Sequence, residues 1–229
     1  MKTFKSNNNK QLFFDLNNNA SFTIDDFIIS ASNIKAFNYL KKWPQWDDNF
    51  IALIGKQGSG KSHLAKIWAL ENNSFYLDKN DTDINEVIKK IKLCVVVEDL
   101  DRIDYNSTFM FHLINHVKEI NGYILYTSRR NPASLKLNLQ DLDSRLRAAI
   151  PIRIEDPDDF LLEAILIKLF ADKQIDLSAN LTNFILKRSN RSCEYIKRLV
   201  DSVYIKIMEE RRPLTIPLLS NVLEEMEEK

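Results

Sequence analysis

Residues 55–62 read Gly55-Lys56-Gln57-Gly58-Ser59-Gly60-Lys61-Ser62, which fits G-x-x-x-x-G-K-[ST]. The octet follows an apolar run, Phe50 to Ile54, and precedes a helical pattern from His63 to Leu70. That order of strand, loop and helix is what a phosphate cradle needs. Glycines let the backbone turn its N–H groups inward onto anionic oxygens. The helix that follows aims its positive end at the same point. In that geometry Lys61 reaches the β- and γ-phosphates of a nucleotide and the Ser62 hydroxyl holds Mg²⁺. His63 belongs to the same first helical turn and joins the phosphate-facing set.

The chain of 229 residues is long enough for one sizeable core and a smaller appended unit. A 45% hydrophobic content marks it as globular. Lysine plus arginine (32) equals aspartate plus glutamate (32), which argues against a protein that grips DNA by its phosphates alone. Cys94 and Cys193 lie far apart on apolar segments and read as buried free thiols, suited to a reducing cytoplasm. No apolar run reaches membrane-spanning length, and residues 1–9 lack the apolar stretch of a secretory signal. The expected location is cytoplasmic, with no membrane partner. His63, His112 and His116 show no metal-site spacing with acids or cysteines.

Three segments follow from the patterning. Residues 1–20 are polar and asparagine-rich and read as a flexible tail, interrupted by the apolar island Gln11-Leu12-Phe13-Phe14-Asp15-Leu16. Such an island has no core of its own to enter and suits a docking peptide. Residues 21–156 alternate short β-branched runs with helical ones: strands at 50–54, 74–77, 93–97, 123–127 and 150–154, helices at 34–42, 62–70, 84–90, 107–120 and 139–148. This predicts an α/β fold with a mostly parallel sheet flanked by helices. Residues 157–229 carry only helical periodicity, at 160–173, 180–188, 192–208 and 216–227, and read as a small all-helical lid.

Further motifs accompany the phosphate loop. Leu93 to Asp99 is an apolar strand ending in Glu98 and Asp99. One carboxylate at such a tip orients Mg²⁺ and the next polarises an attacking water. Thr127-Ser128-Arg129 puts polar groups at the tip of the next strand, where Thr127 or Ser128 would sense a terminal phosphate. Ser144-Arg145-Leu146 stands just before the last strand, the position of an arginine finger. A planar, permanently charged guanidinium suits a phosphate. Asn190-Arg191-Ser192 precedes a long helix, and Arg191 would reach back from the lid to the phosphates.

With these motifs in order, the chain resembles the AAA+ ATPase core of the replication initiator DnaA. It is more similar still to the Hda type of DnaA-related regulator. The resemblance implies an AAA+ domain with a five-stranded parallel sheet and a helical lid, and ADP or ATP with Mg²⁺ as cofactors. Phe22 to Asn33 is similar to the family's adenine-wrapping element, with Ile28 and Asn33 in contact with the nucleotide. Gln11, Leu12, Phe14 and Leu16 resemble the peptide by which Hda docks on the DNA polymerase sliding clamp. Arg145 would then act in trans, on ATP bound to DnaA, and the contact with DNA would be indirect. The resemblance leaves room for a homodimer or homo-oligomer. It also implies a negative regulator of replication initiation that ends without DnaA's helix-turn-helix domain, the chain here stopping at Lys229.

Three positions depart from the family pattern. Ser30 replaces a glycine, Glu98 replaces an aspartate and Arg129 replaces an acid. The last two predict nucleotide binding with weak hydrolysis by the chain itself. The alternatives are a loader or remodelling ATPase that hydrolyses its own ATP, and a truncated DnaA paralogue that binds DNA through Lys187, Arg188, Arg191, Lys197 and Arg198.

Overall fold

The computed structural model of the chain describes residues 27–78, 80–101, 107–135 and 140–227. The island at Gln11, Leu12, Phe14 and Leu16 lies outside the described residues, as does the adenine-wrapping element up to Asp26.

The strands are β1 (Phe50–Ile54), β2 (Phe75–Leu77), β3 (Cys94–Val97), β4 (Tyr123–Ser128) and β5 (Ile150–Arg153). They form one parallel sheet in the order β2-β3-β4-β1-β5. The helices of this part are α1 (Ile34–Lys41), α2 (Lys61–Glu71), α3 (Ile84–Lys90), α4 (Ser107–Glu119) and α5 (Gln140–Ala148). Every residue of β1 is buried, because helices cover both faces. Phe50, Ala52 and Ile54 point to one side, into a core with Val87, Leu113, Leu142 and Leu146 from α3, α4 and α5. Ile51 and Leu53 point to the other, against Ala36, Leu40, Leu64 and Trp68 from α1 and α2. Pro151 has no N–H to give, and it is tolerated because β5 is an edge strand.

After β5 the described chain is helical: α6 (Asp159–Asp172), α7 (Ala179–Arg188), α8 (Cys193–Glu210) and α9 (Ile216–Glu227). These helices enclose a separate core built on Leu166, Phe170, Ile185, Leu199, Val203 and Leu219. Asp158 and Ser192 cap α6 and α8 with their side-chain oxygens.

Element ends differ from the sequence reading by one or two residues. Ser74 lies outside β2 because its N–H goes to Ala69 O and closes α2 instead. Helix α8 runs two residues further than periodicity suggests and stops where Arg211 turns left-handed at φ 51°. Of the two cysteines, Cys94 is buried but Cys193 is only half-buried, because it opens α8 at the rim of the lid. Burial pushes both thiols up to about 11, so both stay protonated near neutrality. Among the described residues, no helix is long and apolar enough to cross a membrane.

Candidate functional site

Parallel α/β sheets present their ligands at the carboxyl ends of the strands, where the strand order switches direction. Here β1 lies between β4 and β5, and the Gly55–Gly60 loop leaves its carboxyl end. Three of the chain's four glycines fall in this loop. Gly58 and Gly60 take φ of 73° and 94°, which side chains rarely adopt. A Cβ at Gly55 would lie 2.6 Å from Ser59 Oγ and 2.9 Å from the Ile154 carbonyl, so that position is crowded as well.

Lys61 and Ser62 open α2. Lys61 is buried, and its ammonium donates to Gly55 O at 2.8 Å and Lys56 O at 2.7 Å. The amine therefore sits inside the loop, within reach of any anion held there. Ser62 is exposed at the start of the helix. The Ser59 hydroxyl is buried and has no hydrogen-bond partner among the described residues. An orphaned donor, an ammonium and two left-handed glycines at a helix N-terminus suit an anionic ligand.

A cleft of about 650 Å³ adjoins the loop, lined by Lys56, Gln57, Ser59, Arg129, Arg130, Asp156, Pro157, Asn190, Arg191 and Ser192. The lid supplies one wall. Gln57 Nε2 donates to Glu194 Oε1 at 3.2 Å, and a Cβ at Gly58 would lie only 2.7 Å from Ser192 Oγ. Arg191 lines the cleft and pairs with Asp159 at 2.5 Å.

The segment before α1 approaches the loop from the other side. The Phe27 ring stacks on Phe37 and meets the His63 ring edge-on at 5.4 Å. Asn33 is buried; its amide donates to Ile28 O at 2.9 Å and accepts from Ser30 N at 2.9 Å. Ser30 does not have a positive φ, so the glycine of the family pattern is not required there. Its hydroxyl instead lies 2.7 Å from that of Ser32, whose N–H donates to Asp158 at 3.2 Å. Asp158 also caps α6 through Leu161 N at 2.8 Å. Burial alone would raise the Asp158 carboxyl, but donation from Leu161 N, Ser30 and Ser32 outweighs it and holds the group below the usual range. The sequence pattern marks residue 157 only as the start of the helical part. The capping half of this role was legible in Asp158 preceding an apolar helix, whereas the link to Ser32 was not.

Glu98 and Asp99 follow β3 directly. Asp99 is left-handed at φ 48°, and its N–H donates to Thr127 Oγ1 at 2.9 Å. Glu98 is half-buried, with Oε1 buried and lacking a hydrogen-bond partner among the described residues. The buried Tyr76 hydroxyl stands beside it, raised first by desolvation, then by the hydrogen-bonding interaction with Glu98 and by the Glu98 charge. A carboxylate oxygen with no donor can accept a cation or its water, so Glu98 and Ser62 fit a Mg²⁺ shared with phosphate oxygens. No cluster of three or more His, Cys, Asp or Glu side chains among the described residues offers a metal site by itself.

Arg145 stands apart from this cleft. Its guanidinium lies 4.8 Å over the Phe111 ring and donates to Asn115 Oδ1, both on α4. The helical i,i+4 pair on α5 is made by Arg147 with Asp143 at 2.7 Å. Thr127 and Ser128 are fully buried, and their hydroxyls are bonded within the protein.

No protein-family model matches the chain. It is 26% identical over 235 residues to the chromosomal replication initiator protein DnaA of Campylobacter jejuni, covering 90% of this chain and 53% of that protein. An uncharacterized protein of Haemophilus influenzae is 23% identical over 228 residues, covering 94% of this chain and 99% of that one. The chain spans about half the length of the curated DnaA relatives it matches. In fold it is similar to domain III of Thermotoga maritima DnaA, with a TM-score of 0.75 at 15% identity, covering 90% and 97% of the two chains. AMPPCP-bound DnaA from Aquifex aeolicus gives a TM-score of 0.69 at 20% identity, covering 83% and 67%. The RuvB branch migration motor of T. maritima gives 0.67 at 17%, covering 88% and 71%. The fold is similar to that of these solved structures, and the sequence is similar to that of DnaA.

Proposed function

We propose that this chain is a nucleotide-binding regulator of replication initiation that acts on DnaA. ADP or ATP binds in the cleft, with its phosphates on Gly55–Ser62, its Mg²⁺ between Ser62 and Glu98, and Arg191 approaching from the lid. Residues 11–16 dock on the sliding clamp, and Arg145 enters the site of a neighbouring DnaA to promote hydrolysis of its ATP. The observation that carries this reading is the position of Arg145. It lies on α5 against α4 and is absent from the lining of the chain's own cleft, as a residue acting in trans should be. The DnaA-like sequence supports the choice of partner, because two domains of one type can pack site to finger.

The test is ATP hydrolysis by the host's DnaA with clamp loaded on DNA, titrating in the intact chain, Arg145→Ala and Gln11→Ala/Leu12→Ala. Stimulation by the intact chain that both variants lose is the expected result. Unchanged DnaA turnover, with steady hydrolysis by this chain alone, would replace the regulator by an ATP-driven loader.

A further inference from the structure

Helix α6 is apolar on more than one side. Ten of its fourteen residues are apolar, so the apolar set is too large for a single buried face. Leu162, Leu166 and Phe170 enter the lid core. Phe160, Ala164, Ile167 and Ala171 follow at i, i+4, i+7 and i+11 and share the opposite face. Phe160 is 64% exposed and Ile167 46%. Ala171 is exposed and Ala164 half-buried. A helix that is apolar all round is normally covered all round. A single exposed side chain such as Leu70 on α2 needs no such account, whereas a stripe along one helix does.

The chain carries a segment of matching chemistry outside the described residues. Gln11 to Leu16 holds Leu12, Phe13, Phe14 and Leu16 within an otherwise polar stretch. Residues 1–20 contain three lysines and one aspartate, whereas α6 contains three acids and one lysine, so the charges are complementary as well. The point where the tail enters the fold favours this pairing. The described chain starts at Phe27, and five residues later Ser32 is fastened to the head of α6. Its N–H donates to Asp158 at 3.2 Å, and its carbonyl accepts from Glu155 N at 2.9 Å. Phe27 therefore lies within about 25 Å of the first turn of α6. The eleven steps from Leu16 to Phe27 span up to about 38 Å, and the stripe from Phe160 to Ala171 is about 17 Å long. The island reaches the stripe without any change in the described fold.

We propose that residues 11–16 dock on the exposed stripe of α6, their leucine and phenylalanine side chains covering Phe160 and Ile167. Apolar surface on both partners leaves water, and the linker makes the encounter intramolecular, so a small contact suffices. Site and occupant belong to the same chain, so the inference does not rest on the clamp or the DnaA reading. Its consequence for that reading is direct: a partner that takes the island must displace it from α6.

The experiment is chymotrypsin cleavage at Phe13 and Phe14, followed by mass, in the full chain, in Phe160→Ser/Ile167→Ser and in Leu70→Ser. Cleavage tracks the released fraction of the island, so the double variant should be cut about tenfold faster and Leu70→Ser at the intact rate. The substituted side chains are exposed, so a melting curve should show both variants folding normally. A second measurement leaves the described fold untouched. Leu12→Ser/Leu16→Ser should shift the backbone amide resonances of Phe160, Ala164, Ile167 and Ala171 and leave those of α3 in place. Equal cleavage of the intact chain and the double variant overturns the assignment, as does equal acceleration by Leu70→Ser. Resonances of α6 that ignore Leu12→Ser/Leu16→Ser overturn it as well. Protection that fades on dilution gives the stripe to a second copy of the chain and overturns it too.

Discussion

The core and the lid meet the same cleft by different means. The core contributes backbone as well as side chains: a loop leaving a buried strand, with two glycines in conformations that side chains rarely reach. The lid contributes exposed side chains, as in Arg191 with Asp159, whose exposures are 61% and 84%. Surface pairs of that kind contribute at most about 1 kcal/mol. The loop is set by covalent geometry and packing; the Arg191–Asp159 pair lies within the helical part, which meets the loop through the exposed Gln57–Glu194 bond. Asp158 joins the two, capping the first lid helix and accepting from Ser32 beside α1.

The sharpest test of two separate cores is Leu166→Ala. Leu166 is fully buried in the lid core, and the substitution should cost about 2–5 kcal/mol in denaturant unfolding. If the loss appears as one cooperative transition of the whole chain, the two cores are energetically fused. If a separate early transition splits off, the lid unfolds by itself.

Gly58→Ala and Gly60→Ala compare the loop's two faces. Both place alanine at positive φ, a penalty of about 1–2 kcal/mol. At Gly58 the new methyl would also press on Ser192 Oγ and on Glu194 Cβ at 2.9 Å, whereas at Gly60 it meets only Phe27 at 3.7 Å. Nucleotide affinity should therefore fall further for Gly58→Ala. Equal losses would mean that the lid does not rest on the loop in solution.

Asp158→Ala should cost about 1 kcal/mol through the lost cap. The sign of its pH dependence follows from its depressed carboxyl. Asp158 and Asp101 are both lowered from the usual 3.8, so their contribution is complete above that value and is lost as pH falls below it through the folded-state values. For Asp101, burial raises the carboxyl, and the Arg129 backbone and side-chain donors more than offset it. Asp158→Asn and Asp101→Asn should each flatten the acid limb of a stability–pH curve below about pH 4. The smallest effect belongs to Asp159→Ala, which should change stability by less than about 1 kcal/mol and leave the fold intact.

Much of the fold was legible because its signals are local. A run of five apolar residues followed by the glycine loop specifies β1 and the start of α2 without reference to any other segment. The helices after β5 announce themselves by periodicity, and the structure adds Asp158 and Ser192 as caps. The residues that brace the site were not legible. Asp101 finds Arg129 across 28 residues, and Ser32 finds Asp158 across 126. An acidic residue after a strand looks the same in sequence whether it ends up buried under an arginine or solvated.

The amino-acid sequence by itself determined the order of elements, the phosphate loop and the chemical types available around it, because backbone conformation and periodicity are fixed by neighbours along the chain. Only the tertiary structure decided which of those groups are already spoken for. Thr127 and Ser128 bond inward, Arg129 is pinned by Asp101, Arg145 of α5 packs against α4, and Arg130 is left facing the cleft. Pairing depends on which charges the folded chain brings within a few ångströms, and that is a property of packing.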